Sequence, residues 1–298
     1  MDPTSKATDT LESRRTRFKQ AVLERRALLL PGVANALAAR IVEDLGFEAV
    51  YLTGAGLANT EFGLPDLGLV TMSEFAEAAL RISDACTLPL VVDIDTGFGN
   101  ALNVHRTIRT IERAGAAAVQ IEDQVFPKKC GHFAGKGVIP VAEMVSKVKA
   151  AVDTRIDENL LIIARTDARA VEGLNAALDR AHAMLEAGAD ILFVEAPVDR
   201  GEIEAISRLP APRLANIVFG GKTPMLTRDE LAGMGFSLVL YANAALQATI
   251  RSVSSVLGHL RDHGSLIDIE DQLADFDERQ RMVDKARYDA IEAAYKVK

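Results

Sequence analysis

An α/β fold built as a (β/α)8 barrel of the TIM type is what this sequence predicts, on three observations. Eight apolar runs have strand length, helical patterns fill the intervals between them, and one glycine-centred plan precedes four of the runs. At 298 residues the chain fits a single barrel domain, with residues 1–17 as an N-terminal arm and 264–298 as a C-terminal helical extension.

The eight runs, in order, are Ala27–Pro31, Ala49–Thr53, Leu88–Asp95, Ala118–Asp123, Leu160–Asp167, Ile191–Ala196, Arg213–Val218 and Ser237–Ala242. Four of them follow the same step: Leu45-Gly46-Phe47, Ala114-Gly115-Ala116, Ala187-Gly188-Ala189 and Met234-Gly235-Phe236. A glycine just past a helical pattern permits a left-handed cap, so the chain can turn into the next strand. Between runs, Thr71-Met72-Ser73-Glu74 has capping-box spacing ahead of Phe75, Ala78, Ala79 and Ile82. Asn103 is placed to cap a helix carrying Val104, Ile108 and Ile111; Asn175–Glu186 and Asn243–Leu260 are further helices. Beyond the eighth run, Leu273, Phe276, Met282, Ala286, Ile291 and Ala294 give the extension apolar sides that need a surface to cover them.

Composition narrows the function classes. The chain is 49% hydrophobic and carries 34 Lys plus Arg against 42 Asp plus Glu, a formal net charge of -8. That sign opposes binding to a phosphate backbone, so nucleic acid is not an expected partner. No uninterrupted apolar run is long enough for a bilayer and no signal-peptide core is present, so no membrane association and a cytoplasmic location are expected. The two cysteines, Cys86 and Cys130, do not make a disulfide framework. Cys86 reads as a small buried thiol.

In a barrel of this type chemistry sits at the C-terminal ends of the strands, and here those ends are acidic. The third run closes in Asp93-Ile94-Asp95-Thr96-Gly97, where strand alternation would aim Asp93 and Asp95 the same way. The fourth closes in Glu122-Asp123, the fifth in Arg165-Thr166-Asp167 and the sixth in Glu195. Converging carboxylates repel, which implies a cation. Hard oxygen donors without a His or Cys pair favour Mg2+, with Mn2+ as the alternative. The competing reading is that each acid simply caps the helix that follows.

Directly after the fourth run comes Phe126-Pro127-Lys128-Lys129-Cys130-Gly131-His132. Lys128, Lys129 and His132 around one thiol would lower its pKa and keep its proton exchangeable, as a proton donor requires. Gly131, Gly135 and Gly137 would let this loop close over a ligand and exclude water.

Together, Lys128-Lys129-Cys130-Gly131-His132 and Asp93-Ile94-Asp95-Thr96-Gly97-Phe98-Gly99 resemble the isocitrate lyase and phosphoenolpyruvate mutase superfamily, over about Phe18 to Arg261. Tyr51-Leu52-Thr53-Gly54-Ala55-Gly56, Gly63-Leu64-Pro65-Asp66, Ile121-Glu122-Asp123-Gln124, Ala164-Arg165-Thr166-Asp167 and Ala215-Asn216-Ile217 occur in matching order. The resemblance implies Mg2+ at Asp93 and Asp95, with Glu122 and Asp66 acting through water. It implies substrate contacts from Thr53, Gly54, Ala55, Gly131, Arg165, Glu195 and Asn216, and Cys130 as proton donor. Tyr51 and Arg165 are candidates for holding oxyanions. It further implies a homotetramer that exchanges its C-terminal helices. The implied reaction is carbon–carbon cleavage of a 2-hydroxy di- or tricarboxylate. A carboxyphosphonoenolpyruvate-type phosphonomutase, an oxaloacetate hydrolase and a non-catalytic diacid-binding barrel are the alternatives. Gln247 stands where tricarboxylate-cleaving relatives carry an arginine, which points to a smaller diacid.

Overall fold

The computed structural model describes residues 10–131 and 135–296. Its eight strands are β1 (Leu28–Val33), β2 (Val50–Leu52), β3 (Leu90–Asp93), β4 (Ala116–Glu122), β5 (Leu161–Thr166), β6 (Ile191–Val194), β7 (Arg213–Asn216) and β8 (Leu238–Tyr241). All pair in parallel and in chain order, and β8 closes on β1 with Leu28 beside Leu238 and Pro31 beside Tyr241. This is the (β/α)8 barrel the sequence predicts, and each strand falls within or across its expected run.

Two strands differ instructively at their ends. β1 continues through Pro31-Gly32 to Val33 instead of stopping there. Close packing explains the glycine, because a Cβ at position 32 would lie 2.1 Å from the carbonyl oxygen of Ala242. β3 is shorter than its run, since the backbone leaves the strand after Asp93 and Asp95 takes a φ of 47°.

Alternation splits the buried side chains into two sets. Leu30, Tyr51, Val91, Ile163, Phe193, Leu214 and Leu238 fill the barrel interior, while Val50, Leu52, Val92, Val119 and Ile162 face the surrounding helices. The helix Leu11–Leu23 seals the floor, placing Phe18 and Val22 against the interior set. Its Arg15 is buried because the guanidinium finds partners there: Nε donates to Ala116 O at 2.8 Å, Nη2 to Glu112 O at 2.8 Å and Nη1 to Asp157 at 3.1 Å. Cys86 is buried, as expected.

Both bonds of the Thr71–Glu74 capping box form. The helix after β3 starts three residues earlier than expected. Asn100 is its cap, and Asn103 supplies the reciprocal side-chain bond to the Asn100 N–H. The amide oxygen of Asn103 takes the place that glutamate or glutamine holds in the usual box.

After β8 the long helix Ala244–His263 contains no buried residue, and Ile250, Val253 and Leu257 stand exposed along it. Short helices Phe276–Met282 and Lys285–Tyr295 follow. Among the described residues no helix is long and apolar enough to cross a membrane.

Candidate active site

The strand-end acids do not cap the helices that follow them. The helices after β3, β4, β5 and β6 have Asn100, Pro140, Ala168 and Asp199 at their N-caps, so the capping reading fails for Asp93, Asp95, Glu122 and Glu195. They turn instead toward the barrel mouth and its walls. There a small cleft is lined by residues of every strand end except that of β1, including Asp93, Glu122, Cys130, Arg165 and Glu195.

Asp93 and Asp95 are brought together by a turn and not by strand alternation. Asp95 donates its backbone N–H to Asp93 Oδ1 at 3.0 Å, in a left-handed conformation that Asp tolerates better than most residues. Its own carbonyl accepts from the Glu122 N–H at 2.9 Å, which ties the turn to β4. Gly54 opens the helix Gly54–Phe62 and points its N–H at Asp93 Oδ2 at 3.3 Å. A Cβ on Gly54 would sit 3.1 Å from oxygens of both Asp93 and Asp95, so the acids occupy the space a side chain would take. Thr53 lines the cleft while its hydroxyl caps this same helix at Gly56 N.

Lys128 is the internal counter-charge of this cluster. Its ammonium pairs with Asp66 and lies 2.7 Å from Asp95 Oδ1. Burial alone would lower its pKa, but Asp95, Asp66, Glu122 and Asp93 together hold it well above the ordinary value. Burial pushes Asp95 up to about 7 and raises Asp93 and Glu122 as well, with Lys128 and Arg165 opposing the rise. Glu122 Oε1 is buried with no hydrogen-bond partner among the described residues, and Asp95 Oδ1 has only the off-line ammonium of Lys128. Such a cluster is under-supplied with positive charge. No group of three or more His, Cys, Asp or Glu side chains gathers in metal-ligating geometry among the described residues. What the site offers is one or two carboxylates at the cleft, the donor set of an ion that keeps much of its hydration shell.

Arg165, at the end of β5, is the opposite pole. Its Nε lies 2.9 Å from Asp167 Oδ2 and 3.3 Å from Glu122 Oε2, Nη2 lies 3.9 Å from Glu195 Oε1, and the guanidinium covers the Phe193 ring at 5.1 Å. Asn216 donates its Nδ2 to both oxygens of Glu195 at 3.3 Å. Tyr51 is fully buried and donates its hydroxyl to Gln120; burial, then Asp93, raise its pKa well above 10, so it remains a phenol.

The Cys130 loop is pinned over the mouth. Its stem is a two-rung ladder, Val125 N to Gly137 O at 2.9 Å and Ile139 N to Asp123 O at 2.8 Å. The Lys136 side chain is buried and donates to both Gly131 O and Asp167. Lys128 and Lys129, expected around the thiol, engage Asp66 and the Gly135 carbonyl. His132 lies outside the described residues. Gly131 is required by close approach: a Cβ there would come 2.4 Å from both Arg165 Nη2 and Glu195 Oε1. Gly131→Ala is therefore expected to hold the loop off the mouth and lower kcat/KM about hundredfold, with an unchanged thermal melt; steady-state kinetics beside calorimetry would check both.

Of the expected site residues, Tyr51, Thr53, Ala55, Asp66, Asp93, Glu122, Lys128, Cys130, Gly131, Arg165, Glu195 and Asn216 line this one cleft. Asp95 and Gly54 stand just behind it, holding Lys128 and Asp93. Sequence reasoning did not single out Lys136 or Asp167 as site residues, nor Val218, Leu240, Ala242 and Asn243, which form the wall from β7 and β8. Gln247 is exposed and ties its helix to the Phe219 carbonyl at 3.2 Å.

The family model described as phosphoenolpyruvate phosphomutase matches residues 18–261. A 2,3-dimethylmalate lyase of Eubacterium barkeri is 39% identical over 280 residues, covering 94% of this chain and 97% of that protein. A 2-methylisocitrate lyase of Vibrio cholerae is 44% identical over 264 residues, covering 86% of each chain. Among solved structures, that of a phosphonopyruvate hydrolase in complex with oxalate and Mg2+ superposes with a TM-score of 0.86 at 30% identity, covering 95% of this chain and 99% of that one. With strand order, strand-end acids and cysteine loop all in place, the chain belongs to the PEP mutase/isocitrate lyase superfamily.

Proposed function

We propose that this protein is a magnesium-dependent lyase that cleaves a carbon–carbon bond of a 2-hydroxy diacid, releasing a 2-oxo acid and a carboxylate. The observation that carries this reading is the facing of Cys130, on a pinned loop, toward an acid cluster and an arginine across one small cleft. By their names, the relatives described above act on a 2-hydroxy diacid, 2,3-dimethylmalate, and on its larger tricarboxylate analogue, 2-methylisocitrate.

The buried, charge-deficient carboxylates fit a hard divalent ion: Asp93 and Asp95 would hold it, with Glu122 and Asp66 reaching it through water. Bound there, Mg2+ would acidify a 2-hydroxyl and neutralise an adjacent carboxylate. Arg165 presents a permanently charged fork to a substrate carboxylate and is oriented for it by Asp167 and Glu122. As the hydroxyl proton passes to a carboxylate of the acid cluster, and from there to solvent, its oxygen becomes the oxo group and the C2–C3 pair passes to C3. That carbon then takes its proton from the Cys130 thiol. Gly131, seated against Arg165 and Glu195, keeps water from competing for it.

We also infer a homotetramer. The helix Ala244–His263 has no fully buried residue, and a helix with Ile250, Val253 and Leu257 exposed calls for a partner surface; light scattering would weigh the assembly.

The test of function is 2-oxo acid release, with Mg2+, from 2,3-dimethylmalate, other alkylmalates, isocitrate and 2-methylisocitrate. Oxalate and acetate from oxaloacetate, as the sole turnover in the series, would make the chain a hydrolase. Turnover of phosphonates alone would make it a mutase.

A further inference from the structure

The cleft has two unlike ends. Its cations, Lys128, Lys129 and Arg165, come from the β4 loop and β5, whereas the wall from β7 and β8 offers Asn216, Val218, Leu240, Ala242 and Asn243. That wall carries no charged side chain. It does carry two buried amide oxygens without partners among the described residues, Asn216 Oδ1 and Asn243 Oδ1.

Both residues line the cleft, and the fold shows why neither oxygen is taken up by the chain itself. Asn216 gives its Nδ2 to Glu195, which leaves the carbonyl oxygen facing the other way. Asn243 occupies the N-cap position of the helix Ala244–His263, where asparagine ordinarily accepts a helix N–H. Here it makes no such bond. Its φ of -116° and ψ of 5° differ from the extended geometry of Asn35, Thr71 and Asn100, whose side chains do cap their helices. The side chain has been released from capping and lines the cleft.

We propose that Asn243 is a specificity-determining residue. With Asn216 it forms a neutral, hydrogen-bonding seat for the C3 substituent of the substrate, favouring a substituent that carries a hydroxyl over a plain alkyl group, and either over a third carboxylate. A hydroxyl satisfies buried acceptors that an alkyl group leaves orphaned. A carboxylate seated there would meet two carbonyl oxygens and no cation. This rests on the lyase reading and refines its substrate class.

Three 2-methylmalates differing only at C3 test it, bearing methyl, hydroxymethyl or carboxymethyl, each assayed with the Mg2+-loaded enzyme. The hydroxymethyl compound is expected to exceed the carboxymethyl one in kcat/KM by about tenfold or more, with the methyl compound between them. Asn243→Leu should bring the methyl and hydroxymethyl values together, and Asn243→Arg should raise the carboxymethyl-to-methyl ratio about tenfold. Ratios within one variant are insensitive to a general loss of folded enzyme. A wild-type preference for carboxymethyl, or ratios that neither substitution moves, overturns the role of Asn243 and leaves the lyase standing. No turnover of any of the three overturns the lyase reading and this proposal with it.

Discussion

Cys130→Ser is expected to lower kcat by about a hundredfold to ten-thousandfold while leaving KM and the thermal melt close to those of the parent. Serine keeps the size of the side chain, so the loop still closes through Lys136 and Gly131. It loses the acidity: an alcohol is a far weaker proton source than a thiol at neutral pH. The position is partly exposed, so no core packing is lost. Rapid-quench kinetics on the best substrate would separate a slowed proton transfer from weakened binding. Undiminished turnover by the serine variant would remove the thiol from the mechanism.

The second large effect is on the metal. EDTA is expected to abolish activity and Mg2+ to restore it, while Asp93→Asn should lower kcat/KM about a thousandfold, as removal of a charge-stabilising group does. Melting temperature supplies an independent readout. Saturating Mg2+ at a hundred times its Kd would stabilise the folded protein by about 2.7 kcal/mol, and this gain should vanish in Asp93→Asn. Lys128 explains how the unliganded cluster stays folded, since its ammonium lies among Asp66, Asp95 and the neighbouring acids. A melt that Mg2+ does not move, in an active enzyme that EDTA leaves untouched, would contradict the assignment.

The barrel was legible because parallel strands covered on both faces read as continuous apolar runs, and the glycines before them mark where each helix ends. The acids were legible because a barrel places its chemistry at strand ends. What sequence could not give was how the backbone turns there. Asp95 reaches its neighbour through a left-handed residue and not through alternation. The lysines beside Cys130 were read as serving the thiol, yet side-chain length lets Lys128 reach Asp66, 62 positions away. Asp167 was read only as one of the strand-end acids, and Lys136 looks like an ordinary loop residue until the loop is folded over and their charges meet. Asn243 was hidden for a different reason. At the head of a helix an asparagine reads as a cap, and only the backbone angles reveal that it is not one.

The most direct measurement is cleavage of 2,3-dimethylmalate in D2O, followed by NMR of both products. A thiol delivering its exchangeable proton from the side of the loop should yield pyruvate and a propionate carrying one deuterium at C2, in a single configuration. Deuterium scrambled between the two configurations, or no 2-oxo acid from any hydroxy diacid in the series, would contradict a cleavage finished by Cys130.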